Sequence, residues 1–441
     1  MASTGTTAGA ARATRPPSTA KSIVLVGSGQ AVESYDFLLF GLMSPFLGAQ
    51  FFTAAGDSAV TGTLNALAIY GVGFVFRPLG AALFGTVADR FGRRPVMLFS
   101  VAIMAIASLL IGIMPTAATI GVGAAVILVL IRIVQGLAFG VEAPLNATYN
   151  VELGKRENLG KFAGIIQMFV QIGLLAASLT AFVCSLLLGA ETMAEWGWRI
   201  PFLVGGVLGL VVLVMRRGLP ETLHEAQAED AAAPVAERPR PGAIWRQIWQ
   251  HRLALLATVF VVGGVQILNY ALNVALPSIA QSEYGVDPTL AFATTSAFGL
   301  VILILSPVFG RLADRWRVSR AFVVSRWVLV PAAFILLAYT GGSTVAFVVI
   351  MLVGAVVLAP SLALFNVIGA SLVPAEGRTA GAGLAYSLGV AIFGGTAAFV
   401  FVWAQINGLT WLFCVYGAVV CVISIVLYQL AVRKTGLYGG E

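Results

Sequence analysis

Charged residues are scarce in this sequence. Of its 441 residues only 10% are charged, whereas 59% are hydrophobic, and the mean hydropathy is +0.94. Soluble domains carry about 25% charged residues, so this composition excludes an ordinary water-soluble fold. Long apolar runs are typical of membrane-spanning helices, which need roughly 20 apolar residues each. Backbone groups in lipid must be satisfied within the segment, so such runs favour helices over barrel strands.

The sequence is also poor in residues that bind metals or carry out catalysis. Its two histidines are His224 and His251, and its three cysteines, Cys184, Cys414 and Cys421, are scattered. Three scattered thiols have neither a metal-ligand spacing nor the even count of a disulfide framework. No G-x-x-x-x-G-K-[ST] run is present, which argues against ATP as the energy source. A membrane-embedded enzyme would need clustered acids or histidines. We therefore expect no cofactor, no metal and no enzymatic activity.

Twelve apolar stretches are long enough to cross a bilayer. A polar stretch at 216–251 separates the first six from the last six. This pattern predicts an all-α integral membrane protein with two six-helix bundles, 22–215 and 252–432. We expect a disordered tail at 1–21, a linker at 216–251 and a short tail at 433–441. The predicted spans are about 22–51, 60–85, 95–114, 119–149, 159–189, 197–215, 252–281, 289–310, 320–340, 343–371, 379–405 and 408–432.

Among the loops that join the predicted spans, lysine and arginine occur in one alternate set, and they also occur in the tails. Neither residue occurs in the other loops, at 52–59, 115–118, 190–196, 282–288, 341–342 and 406–407. Because positive charge marks the cytoplasmic side of a membrane protein, both termini are predicted to be cytoplasmic. The pI near 9.5 therefore reflects topology, and we expect the lipid bilayer, not nucleic acid, as the macromolecular partner.

One short charged motif occurs twice. The stretch 85–94 follows the second span, and its Gly, Asp and Arg return in the stretch 310–320 at one constant spacing. A membrane protein that repeats a charged hairpin halfway along its length is predicted to be two copies of one bundle. Parallel six-helix repeats of transporters bind their substrate near the midplane, between the halves.

Four motifs carry a resemblance to a known family. They are the stretches 29–37 in the first span, 76–94 in the second span and its loop, 132–142 in the fourth span and 196–202 before the sixth. These stretches resemble the major facilitator superfamily, and specifically its metabolite:proton symporters. The resemblance implies twelve helices, transport by alternating access, and a proton as coupling ion without any cofactor.

The same resemblance implies a function and a place for it. We expect proton-coupled uptake of a small organic acid across the plasma membrane by a functional monomer. Two alternatives stay open: proton-driven efflux by antiport, and symport of a zwitterionic osmolyte such as betaine or proline.

The loops are expected to act as gates, because the corresponding loop of the family is implicated in holding the outward-open state. A role in topology alone is the competing interpretation for their arginines. The predicted gating residues are Gly85, Asp89, Arg90, Gly92, Arg93, Arg94, Gly310, Asp314 and Arg315.

Ionisable residues within spans are concentrated in the first half. The first half is predicted to bury Glu33, Asp36, Arg77, Arg132 and Glu142, whereas no acid lies within a span of the second half. Such residues are costly in a bilayer and usually functional or paired. Glu33 and Asp36 are three apart on one helix, and two close carboxylates favour protonation of one. We expect Glu33 or Asp36 to carry the coupled proton, with Arg132 as countercharge, against the alternative of a permanent structural ion pair. Arg77 is expected to extend to the membrane surface or to pair with Glu142.

Substrate binding is predicted to involve both halves. The planar fork of Arg132 suits a carboxylate, and the predicted substrate is therefore anionic. The second half offers amides and phenols instead of charges. For each of these neutral groups, bridging between helices is an equally good interpretation. The predicted substrate-binding residues are Arg132, Gln135, Asn269, Tyr270, Asn273, Asn366 and Tyr386.

Overall fold

The described part of the chain folds into α-helices, most of them long, that run back and forth in alternating directions. The computed structural model describes residues 19–52, 58–91, 93–153, 159–217, 250–339, 342–373 and 378–436. No β-strand occurs within these ranges. The tail 1–18 and the linker residues 218–249 lie outside them, so the predictions for most of the tail and linker stay predictions.

Six spans make up the first half. They are α1 (Thr19–Leu42, continued by Ser44–Phe51), α2 (Ala59–Val75, continued by Arg77–Phe91), α3 (Arg93–Ile113), α4 (Val122–Leu153), α5 (Leu159–Thr192) and α6 (Arg199–Arg216).

Six more make up the second half, and two of them contain a π-helical turn. They are α7 (Arg252–Ser282, with the π turn Ala271–Ala275), α8 (Pro288–Trp316), α9 (Val318–Ala338), α10 (Thr344–Ser371), α11 (Arg378–Ile406, with the π turn Val390–Gly394) and α12 (Thr410–Thr435). Twelve spans in two bundles confirm the predicted fold class.

The first helix differs from the others in composition. In the part of the chain that the structure describes, α2 to α12 are each long and apolar enough to cross a membrane. Helix α1 carries Glu33 and Asp36, and every residue from 33 to 44 is buried. A helix surrounded by protein needs no lipid-facing apolar surface, so α1 can hold polar groups that a peripheral span could not.

Hydrogen bonds join the two halves near one side of the protein. We call the side on which α1 begins and α12 ends the terminal face, and the opposite side the distal face. Near the distal ends of α1 and α7, the Ser44 hydroxyl donates to Ser278 Oγ over 2.9 Å. The hydroxyls of Ser185 on α5 and Thr289 on α8 are also 2.9 Å apart. These contacts close the distal face between the bundles.

Glycine allows α2 and α4 to cross at backbone contact. A Cβ added to Gly140 of α4 would lie 2.0 Å from the carbonyl oxygen of Arg77 and 2.5 Å from the amide of Ala81. A Cβ on Gly80 of α2 would lie 2.0 Å from the carbonyl oxygen of Leu137. Small residues are what lets membrane helices approach this closely. The crossing fixes α2 beside α4 at the level of Arg77.

We predict that Gly140→Ala lowers the thermal stability of the protein in detergent. The atoms that a new methyl group would meet are backbone atoms and cannot turn away, so overpacking should cost about 1–3 kcal/mol. Gly310→Ala is the matched control, because a Cβ at Gly310 has nothing within 4 Å. Equal melting temperatures for the two variants would contradict the close crossing.

Candidate functional site

A cavity of about 290 Å³ lies between the two halves. Its walls come from α1, α2, α4 and α5 of the first half and from α7, α10 and α11 of the second. Most of its lining residues belong to the parts of these helices nearer the terminal face. Toward the distal face, Tyr270 of α7 packs edge-on against Tyr70 and Phe74 of α2, with ring centroids 6.2 and 5.4 Å apart. The cavity is thus closed distally by aromatic rings from both bundles.

The wall from the second half is polar and neutral. The five residues that the sequence singled out there all line the cavity, and Asn269 donates from Nδ2 to Gln266 Oε1 over 3.1 Å. Gln266 also lines the cavity and lies one helical turn before Asn269. The sequence-predicted residues brought together here are Asn269, Tyr270, Asn273, Asn366 and Tyr386.

Asp36, Arg132 and Gln135 form a closed triangle of contacts in the first half. Arg132 Nη1 lies 3.3 Å from Asp36 Oδ2 and donates to Gln135 Oε1 over 2.8 Å. Gln135 Nε2 donates in turn to Asp36 Oδ2 over 3.0 Å. Asp36 is 2% exposed, and Arg132 and Gln135 are 0% exposed. This triad joins α1 to α4 through a charge pair, and it settles that Arg132 pairs with Asp36.

The triad does not line the cavity. Phe37 lies between the two: its ring borders the cavity, and Arg132 Cζ is 4.7 Å from its centroid. On its other side, Arg132 Cζ is 4.0 Å from the ring of Phe40. Three residues predicted for proton coupling or substrate binding, Asp36, Arg132 and Gln135, are therefore next to the cavity but separated from it by an aromatic ring.

Two charged residues do line the cavity, Glu33 and Arg77. Arg77 is 8% exposed and, contrary to the expectation that it extends to the membrane surface, its guanidinium lies among aromatic rings. Its Cζ is 4.1 Å from the centroid of Phe37, 4.3 Å from that of Phe74 and 3.7 Å from that of Phe139. Arg77 and Glu33 interact electrostatically. The side chain of Glu142 lies outside the described residues, so its pairing with Arg77 stays a prediction.

Helices α1 and α7 share a glycine and a glutamine at one constant offset along the chain. A Cβ on Gly27 would lie 2.2 Å from Phe169 of α5, and a Cβ on Gly263 would lie 2.2 Å from Phe393 of α11. The same offset along the chain pairs three sets of lining residues, Gln30 with Gln266, Glu33 with Asn269, and Ser34 with Tyr270. Aligning the first and seventh spans by their shared Gly and Gln would have identified Gln266 from the sequence.

Most of the predicted gating residues, or their side chains, lie outside the described part of the structure. Gly92 and the surroundings of Gly85, Asp89, Arg90, Arg93 and Asp314 lie outside the described part of the structure. Of the remaining three, Arg94 donates from Nη2 to the carbonyl oxygen of Arg217, Arg315 is exposed, and Gly310 has open space at its Cβ position. The gating role therefore stays a prediction.

Several curated proteins are similar to this chain over most of its length. An alpha-ketoglutarate permease of Escherichia coli is 28% identical over 415 residues, which is 94% of both chains. An ectoine/proline transporter of Corynebacterium glutamicum is 30% identical over 83% of this chain and 75% of its own. A citrate-proton symporter of Salmonella typhi is 28% identical over 87% of both.

Solved structures and a family model agree with these relatives. The crystal structure of a D-xylose-proton symporter superposes with a TM-score of 0.75 at 16% identity, covering 94% of this chain and 98% of the other. At this identity the likeness shows the fold. The model of the Major Facilitator Superfamily matches residues 29–391. This chain is a multi-pass membrane protein and belongs to the Major Facilitator Superfamily.

Proposed function

We propose that this protein is a proton-coupled secondary active transporter that takes up a small carboxylate-bearing metabolite by symport and alternating access. The observation that carries the proposal is the sealed Asp36–Arg132–Gln135 triad next to a cavity between two repeated bundles. A carboxylate held in the interior of a membrane protein is typical of proton relays. The relatives support the same class, since one is named as a citrate-proton symporter.

Asp36 is the proposed proton carrier. While it is ionised, it holds Arg132 and Gln135 and so ties α1 to α4. Protonation removes its negative charge and weakens the pair, because an ion pair in a low dielectric depends on both charges. The protonated state thus allows α1 and α4 to separate, and the ionised state draws them together. Arg132 is the countercharge that decides which of the two states is stable.

Arg77 is the proposed receiver of the substrate carboxylate. It lines the cavity directly, and a guanidinium binds a carboxylate with two parallel hydrogen bonds. Its Nε is buried without a hydrogen-bond partner, which leaves donor capacity for a ligand. Arg132 would reach the substrate only after the ring of Phe37 moves aside. Asn269, Asn273 and Asn366 supply hydrogen bonds from the opposite wall.

The distribution of positive charge supports a cytoplasmic terminal face and a location in the cell membrane. With that orientation, the closed distal face is external, and the cavity lies toward the cytoplasm. The structure then corresponds to an inward-facing state. Opening outward requires the contacts between α1 and α7 to break while the terminal face closes, and the two loop motifs lie where that closure would occur.

Reconstitution tests the proposed function. Purified protein in proteoliposomes, given an acidic outside, should accumulate alpha-ketoglutarate, citrate, proline or trimethylglycine, and a protonophore should abolish the accumulation. Accumulation only under the reversed gradient would show antiport instead. No gradient-dependent movement of any carboxylate would refute the proposal.

We predict that Asp36→Asn abolishes proton-driven accumulation while substrate exchange across the membrane persists. Asparagine keeps the shape of the side chain and can still accept from Gln135, but it cannot load a proton. We expect the accumulation ratio to fall by at least about tenfold, which corresponds to a loss of about 1.4 kcal/mol of driving force. Uptake and counterflow in proteoliposomes measure the two activities separately.

Asp287→Asn is the matched control for this substitution. Asp287 caps α8 at the distal face, where its Oδ1 accepts from the amides of Thr289 and Leu290. Asparagine caps a helix about as well, so both activities should be retained. An Asp36→Asn protein that still accumulates substrate on a proton gradient would exclude Asp36 as the carrier.

We further predict that a disulfide between the bundles locks the distal face. The 2.9 Å contact of Ser44 with Ser278 brings the two side chains within the range that a disulfide requires. The double variant Ser44→Cys/Ser278→Cys should lose transport on oxidation and regain it on reduction. Each single variant should be insensitive to the oxidant. Full transport by a completely cross-linked protein would mean that this face does not open.

A further inference from the structure

We propose that the cavity selects a zwitterion, a small molecule that carries one carboxylate and one alkylated ammonium group, and that Glu33 is the residue that determines this selectivity. The inference rests on the proposed function, since it names the substrate of the same cavity. In this proposal, Arg77 binds the carboxylate of the ligand, and Glu33 with the surrounding aromatic rings binds its ammonium group.

The charge of the cavity wall is the first argument. Among the lining residues within the described ranges, Glu33 and Arg77 carry the formal charges, and they cancel. A bound dianion would leave uncompensated negative charge in a region of low dielectric, which is costly. A zwitterion adds no net charge, and each of its ends meets a group of opposite sign. The wall is therefore complementary to a neutral dipole.

Aromatic rings provide the second argument. Alkylated ammonium groups bind over the faces of aromatic side chains, and desolvation strengthens this attraction. Tyr270 of α7 and Tyr386 of α11 line the same cavity as Glu33 of α1. The rings that line the cavity are Phe37, Tyr70, Phe139, Tyr270, Phe365 and Tyr386.

The internal repeat provides the third argument. At the offset that matches Gln30 with Gln266, the counterpart of Glu33 is Asn269. At this position of the cavity wall, the first half carries a carboxylate where the second half carries a neutral amide. An amide at position 33 would form hydrogen bonds equally well. The property that distinguishes Glu33 is therefore its negative charge. Asp36 is held in the triad with Arg132, which leaves Glu33 as the described acid that faces the substrate.

A pair of isosteric compounds tests the inference. Trimethylglycine and tert-butylacetate have the same shape and the same carboxylate, but only the first has a cationic head. In proteoliposomes with an acidic outside, we expect trimethylglycine to be taken up about tenfold faster, as a cation–π contribution of roughly 1–2 kcal/mol implies. Alpha-ketoglutarate, a dianion, should compete poorly with it.

Glu33→Gln should remove the preference between the two isosteres and reduce their ratio to about one, because the countercharge of the ammonium group is lost. Gln171→Ala is the control. Gln171 lines the same cavity without a charge, so its removal should change both uptake rates by the same factor and preserve the ratio. If the Glu33 variant fails to fold, the uptake rates of trimethylglycine and tert-butylacetate by the unsubstituted protein still test whether the cavity selects a zwitterion.

Equal or faster uptake of tert-butylacetate, or stronger competition by alpha-ketoglutarate, would overturn the inference. Proton-driven uptake of those acids would at the same time leave the proposed function standing. A preserved preference in Glu33→Gln would exclude Glu33 as its source. Absence of proton-driven uptake for every carboxylate would refute the proposed function and this inference together.

Discussion

The charge pair between Asp36 and Arg132 is the interaction on which the rest of this structure depends. Each ion alone would cost several kcal/mol to bury, and their mutual attraction offsets that cost only while both are charged and well placed. The pair therefore fixes α1 against α4, and Gln135 is hydrogen-bonded to both partners. It also makes the junction sensitive to one proton. The middle of α1, residues 33–44, is buried, and this places the carboxylate in the interior.

The two halves of the protein have similar folds, but the Asp36–Arg132 pair belongs to the first half only. Helices α1 and α7 use the same contact, a glycine against a phenylalanine of the fifth helix in the bundle, and they present glutamine at matching positions. A symmetric frame suits alternating access, since each half can rock against the other around a central site. The buried carboxylates of the described residues, by contrast, lie in the first half alone. In the proposed function, the first bundle binds the proton and the second completes the substrate site with neutral groups.

Hydropathy and charge patterns were sufficient to predict twelve spans, two bundles and the five neutral residues on the cavity wall. They could not decide whether Glu33 or Asp36 pairs with Arg132. Residues three apart differ by about 60° around a helix, so the choice depends on how α1 is rotated within the bundle. That rotation is set by packing, including the glycine contacts with α5 and α6. Arg77 was misjudged for a related reason: a position near a helix end suggested the membrane surface, but three aromatic rings hold its guanidinium inside.

The position of Phe37 constrains how proton and substrate can be coupled. Its ring contacts Arg132 on one side and Arg77 on the other, so the triad and the cavity share a wall but no direct path. Competition of proton and substrate for one arginine would require that ring to move. The fixed arrangement favours coupling through α1 itself, because Asp36, Phe37 and Glu33 lie within about one turn of that helix. Under the proposed function, a change in the triad would then shift the cavity wall as a rigid unit, and the proton would act on the substrate through the helix that carries both acids.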